Sequence, residues 1–224
     1  MGKSDYEPTD RRPIASRERR IWQRVASFLA AHQVSPNSIS IMGMLVGVIA
    51  GILLARTRFV ADDAAQRALW LIAAAGIQLR LLANMLDGMV AIETHKASRV
   101  GELYNELPDR VSDVAIIIGA GYASGSLPEF GYVAACLSIL TAYVRAVGKA
   151  NGVANLFIGP MAKPHRMFVL TVAAVLMALL PRNWRPVWAS FTVVSFALAI
   201  IIIGCVVTVV RRLRMIVRHL QEAA

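Results

Sequence analysis

The sequence predicts an all-α integral membrane protein of six transmembrane helices preceded by an N-terminal amphipathic interfacial helix. Three observations carry that reading. Of 224 residues, 57% are hydrophobic and only 17% are charged, a balance too apolar for a soluble domain. The apolar residues gather into six runs of about 18 to 25, long enough as helix to cross roughly 30 Å of hydrocarbon. Basic residues flank these runs instead of forming a stripe on a polar domain. The net charge of +10 therefore points to anionic lipid headgroups, not to nucleic acid. The same distribution excludes a soluble enzyme, a disordered tail and a disulfide scaffold. Cys136 and Cys205 both lie within apolar runs and read as small hydrophobes.

The elements follow in order. Residues 1–17 form a polar, basic tail without the apolar core and small residues of a cleavable signal peptide, so the first span is expected to direct insertion. Residues 18–224 read as a single membrane domain without internal repeats. Ile21, Trp22, Val25, Phe28 and Leu29 recur at helical spacing opposite Arg19, Arg20 and Arg24, the pattern of a helix lying in the membrane interface and closing a cleft beneath it. Span one is expected over about Ile39–Ala55, span two over Ala68–Ile92 and span three over Leu103–Tyr122. Span four covers about Tyr132–Lys149, span five Met167–Leu180 and span six Val187–Val210.

Several residues qualify these spans. Gly43, Gly47 and Gly51, four residues apart, offer a stripe on which another helix packs closely. Pro108 is expected to kink span three or to mark its true start. Arg211, Arg212, Arg214 and Arg218 form a basic tail that anchors on lipid headgroups. Six spans place both chain ends on one side, which the distribution of Lys and Arg makes cytoplasmic, although Arg56, Arg58, Arg67, Arg182 and Arg185 run against that bias. A bacterial inner membrane is the expected location.

Ionisable groups inside membrane spans are costly and mark sites, and here they cluster in spans two and three. Arg80, Asn84, Asp87 and Ala91 step by three or four residues and share one helical face. Asn105, Asp109 and Asp113 repeat that spacing at the start of span three. Joined by the short segment Glu93–Gly101, the two oxygen-bearing stripes can face each other as a hairpin. Cations between them would relieve the repulsion, and hard oxygen ligands favour Mg²⁺ or Mn²⁺. The competing reading makes these acids structural ion pairs with Arg80, Arg99 and Arg110.

These residues carry a resemblance. Asn84-Met85-Leu86-Asp87-Gly88-Met89-Val90-Ala91, then Gly101, Asn105 and Asp109, resembles the CDP-alcohol phosphotransferase signature D-x2-D-G-x2-A-R-x8-G-x3-D-x3-D, with matching spacing throughout. Ser35-Pro36-Asn37-Ser38-Ile39-Ser40 resembles the family's T-P-N-x-x-T segment, and Tyr143-Val144-Arg145, Gly159-Pro160 and Lys163-Pro164-His165-Arg166 also resemble family segments. Asn84 and Asn105 replace the first and third aspartates of the pattern, and Ile92 replaces its arginine.

The resemblance implies a metal-dependent transferase that moves a phosphatidyl group from CDP-diacylglycerol to a small polar alcohol and releases CMP. It also implies a homodimer. In the family, four aspartates hold two divalent ions against the donor diphosphate, and the last deprotonates the acceptor. Carried over, Asp87 is a metal ligand, Asp109 is base and ligand, and Asn84 and Asn105 offer weaker neutral oxygens. Glu106, Glu93 and Asp113 are further acids nearby. In an alternative register, Asp109 and Asp113 form the catalytic pair and Asn105 is peripheral.

Gly88, Ala91, Gly101, Asn37 and Arg99 are candidates to contact the donor nucleotide or diphosphate. Gly88 and Gly101 equally suit helix packing, and Asn37 equally suits a helix-initiating turn. With Ile92 in place of arginine, Arg80, Lys96 or Arg99 must face the donor phosphates. Arg145, Lys149, Lys163 and Arg166 form a second group that either receives an acceptor phosphate or anchors span ends at the interface. His165 reads as a surface residue. A reading from a different class is a catalytically silent membrane protein that keeps the fold and binds nucleotide-lipid or a partner.

Overall fold

In the computed structural model, residues 20–95, 99–153, 158–180 and 191–222 are described, with the side chains of Arg99 and Glu102 left out. The expectations for residues 1–17, Arg19, Lys96, Arg182, Arg185 and the start of span six at Val187 lie outside the described residues, as does the role of the Arg99 side chain. The described elements are α1 (Arg20–Ala31), α2 (Pro36–Arg56), a 3₁₀ turn (Thr57–Phe59), α3 (Asp63–Glu93), α4 (Arg99–Gly121), α5 (Pro128–Ala150), α6 (Lys163–Leu179) and α7 (Val193–Glu222).

Local chemistry explains the boundaries. Proline occupies the first turn of α2, α5 and α6, where its missing N–H costs nothing. Asp62 caps α3 by accepting from the Ala65 amide at 2.8 Å. After α1, Gln33 adopts a φ of 55°, and the Val34 amide returns to the Leu29 carbonyl at 3.0 Å. That closure stops α1 and turns the chain into α2.

Among the described residues, four elements are long and apolar enough to cross a membrane: α2 with its 3₁₀ turn, α3, α5 and α7. They make the chain an integral membrane protein. Six spans are not reached by that measure. The first half of α4 carries Arg99, Glu102, Glu106, Asp109 and Arg110, and α6 has only 17 residues. Two further expectations are corrected. Of the two expectations for Pro108, a helix start there is not met, because α4 already begins at Arg99 and runs through it. Helix α7 does not end at Val210 but continues to Glu222, since arginine is a good helix former and nothing in this stretch breaks the helix.

The glycine stripe of α2 packs as expected, but against two helices. A Cβ on Gly43 would lie 2.7 Å from that of Ala83 on α3, and one on Gly47 would lie 2.7 Å from that of Ser112 on α4. Gly51 meets the Ala115 carbonyl of α4 backbone to backbone, and Gly119 of α4 meets Gly51 in return. Helix α2 thus stands between α3 and α4, so they do not form the face-to-face hairpin expected from their spacing. They meet at the site end through Arg80 and Asn84 of α3, which reach Ser112, Asp109 and Asn105 of α4.

A continuous core of small and aliphatic side chains fills the bundle, including Ala50, Trp70, Ile77, Ile116, Leu170, Met177, Leu198 and Ile201. Cys205 is buried in it as expected, whereas Cys136 is on the outside of α5. Helix α1 lays Ala26 against Leu86 and Val90 of α3, while Ile21 and Phe28 on its other face are each 61% exposed. That division suits an interfacial helix.

Replacing Gly51 with leucine is expected to cost on the order of 3 kcal/mol by forcing α2 from α4. Thermal melting of the detergent-solubilised protein followed by size exclusion measures this. An unchanged midpoint would mean that the two backbones do not touch there.

Candidate active site

The ends of α3, α5 and α7 and the starts of α2, α4 and α6 converge at one end of the bundle, beside α1. Asp87 on α3 is 2% exposed. Its Oδ2 accepts from Ser40 Oγ of α2 at 2.5 Å, and its Oδ1 is buried without a hydrogen-bond donor.

Asp109 on α4 is the hub. Its Oδ1 accepts from the Arg80 guanidinium and from Asn84 Nδ2 at 3.1 Å, and it lies 2.6 Å from Lys163 Nζ of α6. Arg80 is 1% exposed, and its Nε donates to Ser112 Oγ at 2.7 Å. Ser112 donates in turn to the Pro108 carbonyl at 2.9 Å. Asn84 Nδ2 also donates to Asn105 Oδ1 at 2.7 Å, joining the two amides that replace signature aspartates.

One turn deeper, Asp113 accepts from Arg166 Nη2 at 3.0 Å, with both side chains almost wholly buried. Arg166 also donates to the Met161 carbonyl at 2.9 Å. Arg212 of α7 reaches the Thr141 carbonyl at 2.6 Å and the Ile158 carbonyl at 3.0 Å, tying α5 and the segment before α6 to α7. At the rim, Glu106 pairs with Arg110 at 3.1 Å and with Arg145 at 2.5 Å.

The structure therefore brings together Asn84, Asp87, Asn105, Asp109, Asp113, Glu106, Arg145, Lys163 and Arg166. Gly88, Ala91, Asn37 and Gly101 are half-buried at the same end. Lys149 is exposed one turn beyond Arg145, and His165 is exposed as expected. The structural ion-pair reading is met in part: Arg80 holds Asp109, whereas Arg110 pairs with Glu106 and stays 4.0 Å from Asp109. Arg212, read as a headgroup anchor, is instead buried and bonded to the protein, because it faces inward on α7 while Arg211 and Arg214 face outward.

Sequence reasoning missed the roles of Ser112, Thr141 and Arg212. Ser40 had a signal, since it closes the Ser35–Ser40 segment whose pattern was recognised.

Among the described residues, no group of three or more His, Cys, Asp or Glu side chains is arranged to hold a metal ion. Of the three buried acids, Asp109 is paired with Arg80 and Lys163 and Asp113 with Arg166, while Asp87 is hydrogen-bonded to the neutral Ser40. A divalent cation still fits at Asp87, where a buried carboxylate oxygen has no hydrogen-bond partner and carboxylate is a hard-oxygen ligand.

A buried, ion-paired polar site at one end of an apolar helical bundle is where a membrane protein carries its function. Residues 33–218 match the CDP-alcohol phosphatidyltransferase family, and the chain belongs to it. Its members are membrane transferases of phospholipid biosynthesis. The chain is 27% identical over 210 residues to the phosphatidylinositol phosphate synthase of Streptomyces avermitilis, covering 91% of this chain and 81% of that protein. It is 27% identical over 156 residues to the inner membrane protein YnbA of Escherichia coli, covering 69% of this chain and 74% of that protein.

The fold is that of Mycobacterium tuberculosis phosphatidylinositol phosphate synthase in its CDP-DAG-bound crystal structure, with a TM-score of 0.72 at 21% identity over 88% of this chain and 94% of that one. The same enzyme has been solved in complex with manganese and citrate; that structure superposes with a TM-score of 0.70 at 20% identity, covering 87% of this chain and 88% of that one.

Replacing Arg166 with methionine strands the Asp113 carboxylate and is expected to cost about 3–5 kcal/mol. Adding Asp113→Asn should recover much of that loss in thermal melts. If the double variant melts no higher than Arg166→Met alone, the pair is not the source of the stability.

Proposed function

We propose that this chain transfers a phosphatidyl group from CDP-diacylglycerol to a small phosphorylated alcohol, releasing CMP, and that the transfer requires Mg²⁺ or Mn²⁺. The observation that carries the reading is the burial of Asp87 and Asp109, at the family's spacing, together at one end of the bundle. The phosphatidylinositol phosphate synthases among its relatives and the Arg145, Lys163 and Arg166 cluster favour a phosphorylated acceptor, inositol phosphate first.

Each group then has a task. Asp87 holds the divalent ion, which supplies charge neutralisation at the donor diphosphate. Asp109 takes the acceptor hydroxyl proton as the alcohol oxygen attacks phosphorus and CMP departs. Asp113 is set back by one turn and held by Arg166, which supports a positioning role for it and the unshifted register. Asn84 and Asn105 add neutral oxygens beside these acids, with Glu106 at the rim. Gly88, Ala91, Gly101 and Asn37 line the approach of the nucleotide, together with Arg99. Arg145, Lys149, Lys163 and Arg166 receive the acceptor phosphate.

In this reading α4 and α6 also cross the membrane, giving six spans. The site and both chain ends face the cytoplasm of a bacterial inner membrane, and the protein is a homodimer. The alternation of helix ends at the site supports six crossings, and the flanking basic residues support the orientation.

The test is CMP release from CDP-diacylglycerol by protein in lipid nanodiscs, with inositol phosphate, glycerol 3-phosphate, inositol, serine and glycerol offered together and then singly. Metal-dependent release with a new lipid from a phosphorylated acceptor is expected. Chelation should abolish it, and Asp109→Asn should reduce the rate by about 10²–10⁴-fold while Asp113→Asn costs less. Release that survives chelation, or that only Asp113→Asn abolishes, would overturn the assignment of ion or base.

A further inference from the structure

We infer that this site holds one divalent ion, at Asp87, and that Arg80 and Lys163 occupy Asp109 as built-in cations where a second ion would need an anionic ligand. The inference rests on the metal-dependent reading above and refines its metal count. It begins with the hydrogen-bonding capacity of the Asp109 carboxylate. Oδ1 already accepts from the Arg80 guanidinium and the Asn84 amide, and the Lys163 ammonium is ion-paired to it at 2.6 Å. Its other oxygen lies 4.0 Å from Arg110. A cation approaching Asp109 therefore meets three positive side chains.

The two amides beside it add no charge. Asn105 Oδ1 accepts from Asn84 Nδ2 at 2.7 Å, so one lone pair of that oxygen is already engaged. An amide is in any case a weaker ligand for a hard cation than a carboxylate. Lys163 is a flexible ammonium that an entering cation could displace, but Arg80 is not. It is 1% exposed, its Nε is fixed on Ser112 Oγ at 2.7 Å, and its stem lies 3.4 Å from where a Cβ on Gly47 would sit. The guanidinium keeps its charge at any pH the protein meets. Its Nη1 is buried without a hydrogen-bond partner, an unused donor suited to an anionic oxygen.

Asp87 is the opposite case. Among the described residues no cation forms an ion pair with it; its Oδ2 accepts from the neutral hydroxyl of Ser40 at 2.5 Å, the Gly88 backbone is a second neutral hydrogen-bonding neighbour, and its Oδ1 is buried without a hydrogen-bond partner. A buried carboxylate oxygen without a donor is costly and has room for a cation. Mg²⁺ and Mn²⁺ are commonly held by one or two carboxylates, with water and substrate phosphate completing the shell. One carboxylate makes a weak site alone and a strong one once a diphosphate is present, so ion binding here depends on the donor.

Electron paramagnetic resonance of Mn²⁺ tests this independently of turnover. Protein in nanodiscs is titrated with Mn²⁺ with and without CDP-diacylglycerol, and bound ions and the spin-coupled signal of a metal pair are read. One bound ion per chain is expected, with no coupled signal, and affinity should rise at least tenfold with CDP-diacylglycerol. Asp87→Asn should lose that ion. Asn84→Asp with Asn105→Asp should admit a second ion and produce the coupled signal; should this variant fail to fold, the wild-type count still decides.

Two ions or a coupled signal in the wild type would overturn the inference and leave the transferase reading intact. An ion retained in Asp87→Asn would overturn its placement. If the wild type binds no ion, the inference fails, and CMP release with and without chelator then decides separately whether the transferase reading stands.

Discussion

The structure depends on the close approach of α2 to two partners at once. Helices in a bilayer gain nothing by hiding apolar surface from lipid tails, so association rests on packing and polar contacts. Gly43, Gly47 and Gly51 supply the packing by letting Ala83, Ser112 and the Ala115 backbone come close. The stem of Arg80 lies in the same seam, and its guanidinium emerges at Ser112 and Asp109 of α4. Packing and electrostatics are therefore joined at one place: the contact that lets α2 seat α3 and α4 also sets the reach of the buried arginine.

The acids at the site end are held from different directions. Asp87 is held by α2 through Ser40, Asp109 by α3 and α6, and Asp113 by α6. Arg212 extends this arrangement to α7 by bonding carbonyls of α5 and of the segment before α6. In a medium of low dielectric, an unpaired charge is far more expensive than a paired one, so these contacts act as geometric specifications as well as ion pairs. Lys163 and Arg166 serve twice in the proposed mechanism: they neutralise acids at rest and offer phosphate-binding charge to an acceptor.

Much of this could be read from residue order. The glycine stripe, the spacing of Asp87 to Asp109, the amphipathic pattern about Trp22 and five of the six apolar runs correspond to observed elements within a few residues, because each is a local periodicity. The start of the sixth run lies outside the described residues. What could not be read was partner choice. Arg80 sits on the same face as Asp87, so sequence alone allowed it to face donor phosphates or to hold an acid; in the fold it holds Asp109. Arg166 and Arg212 were indistinguishable from interfacial anchors, since the rule that places basic residues at span ends applies equally to those facing lipid and those turned inward.

The sequence by itself determined that this is an apolar helical membrane protein, that its acids and amides gather where spans two and three meet the site end, and that two signature aspartates are asparagines. Those are properties of composition and spacing, and they persist whatever the helices touch. Only the tertiary structure decided that α2 separates α3 from α4, that two donors and an ammonium converge on one oxygen of Asp109, and that an oxygen of Asp87 is buried without a hydrogen-bond partner. These depend on contacts between residues far apart in the chain, such as Asp109 with Lys163 and Gly51 with Gly119. The reason is physical: helical periodicity sets the face a residue lies on, but the close packing of neighbouring helices sets what that face meets.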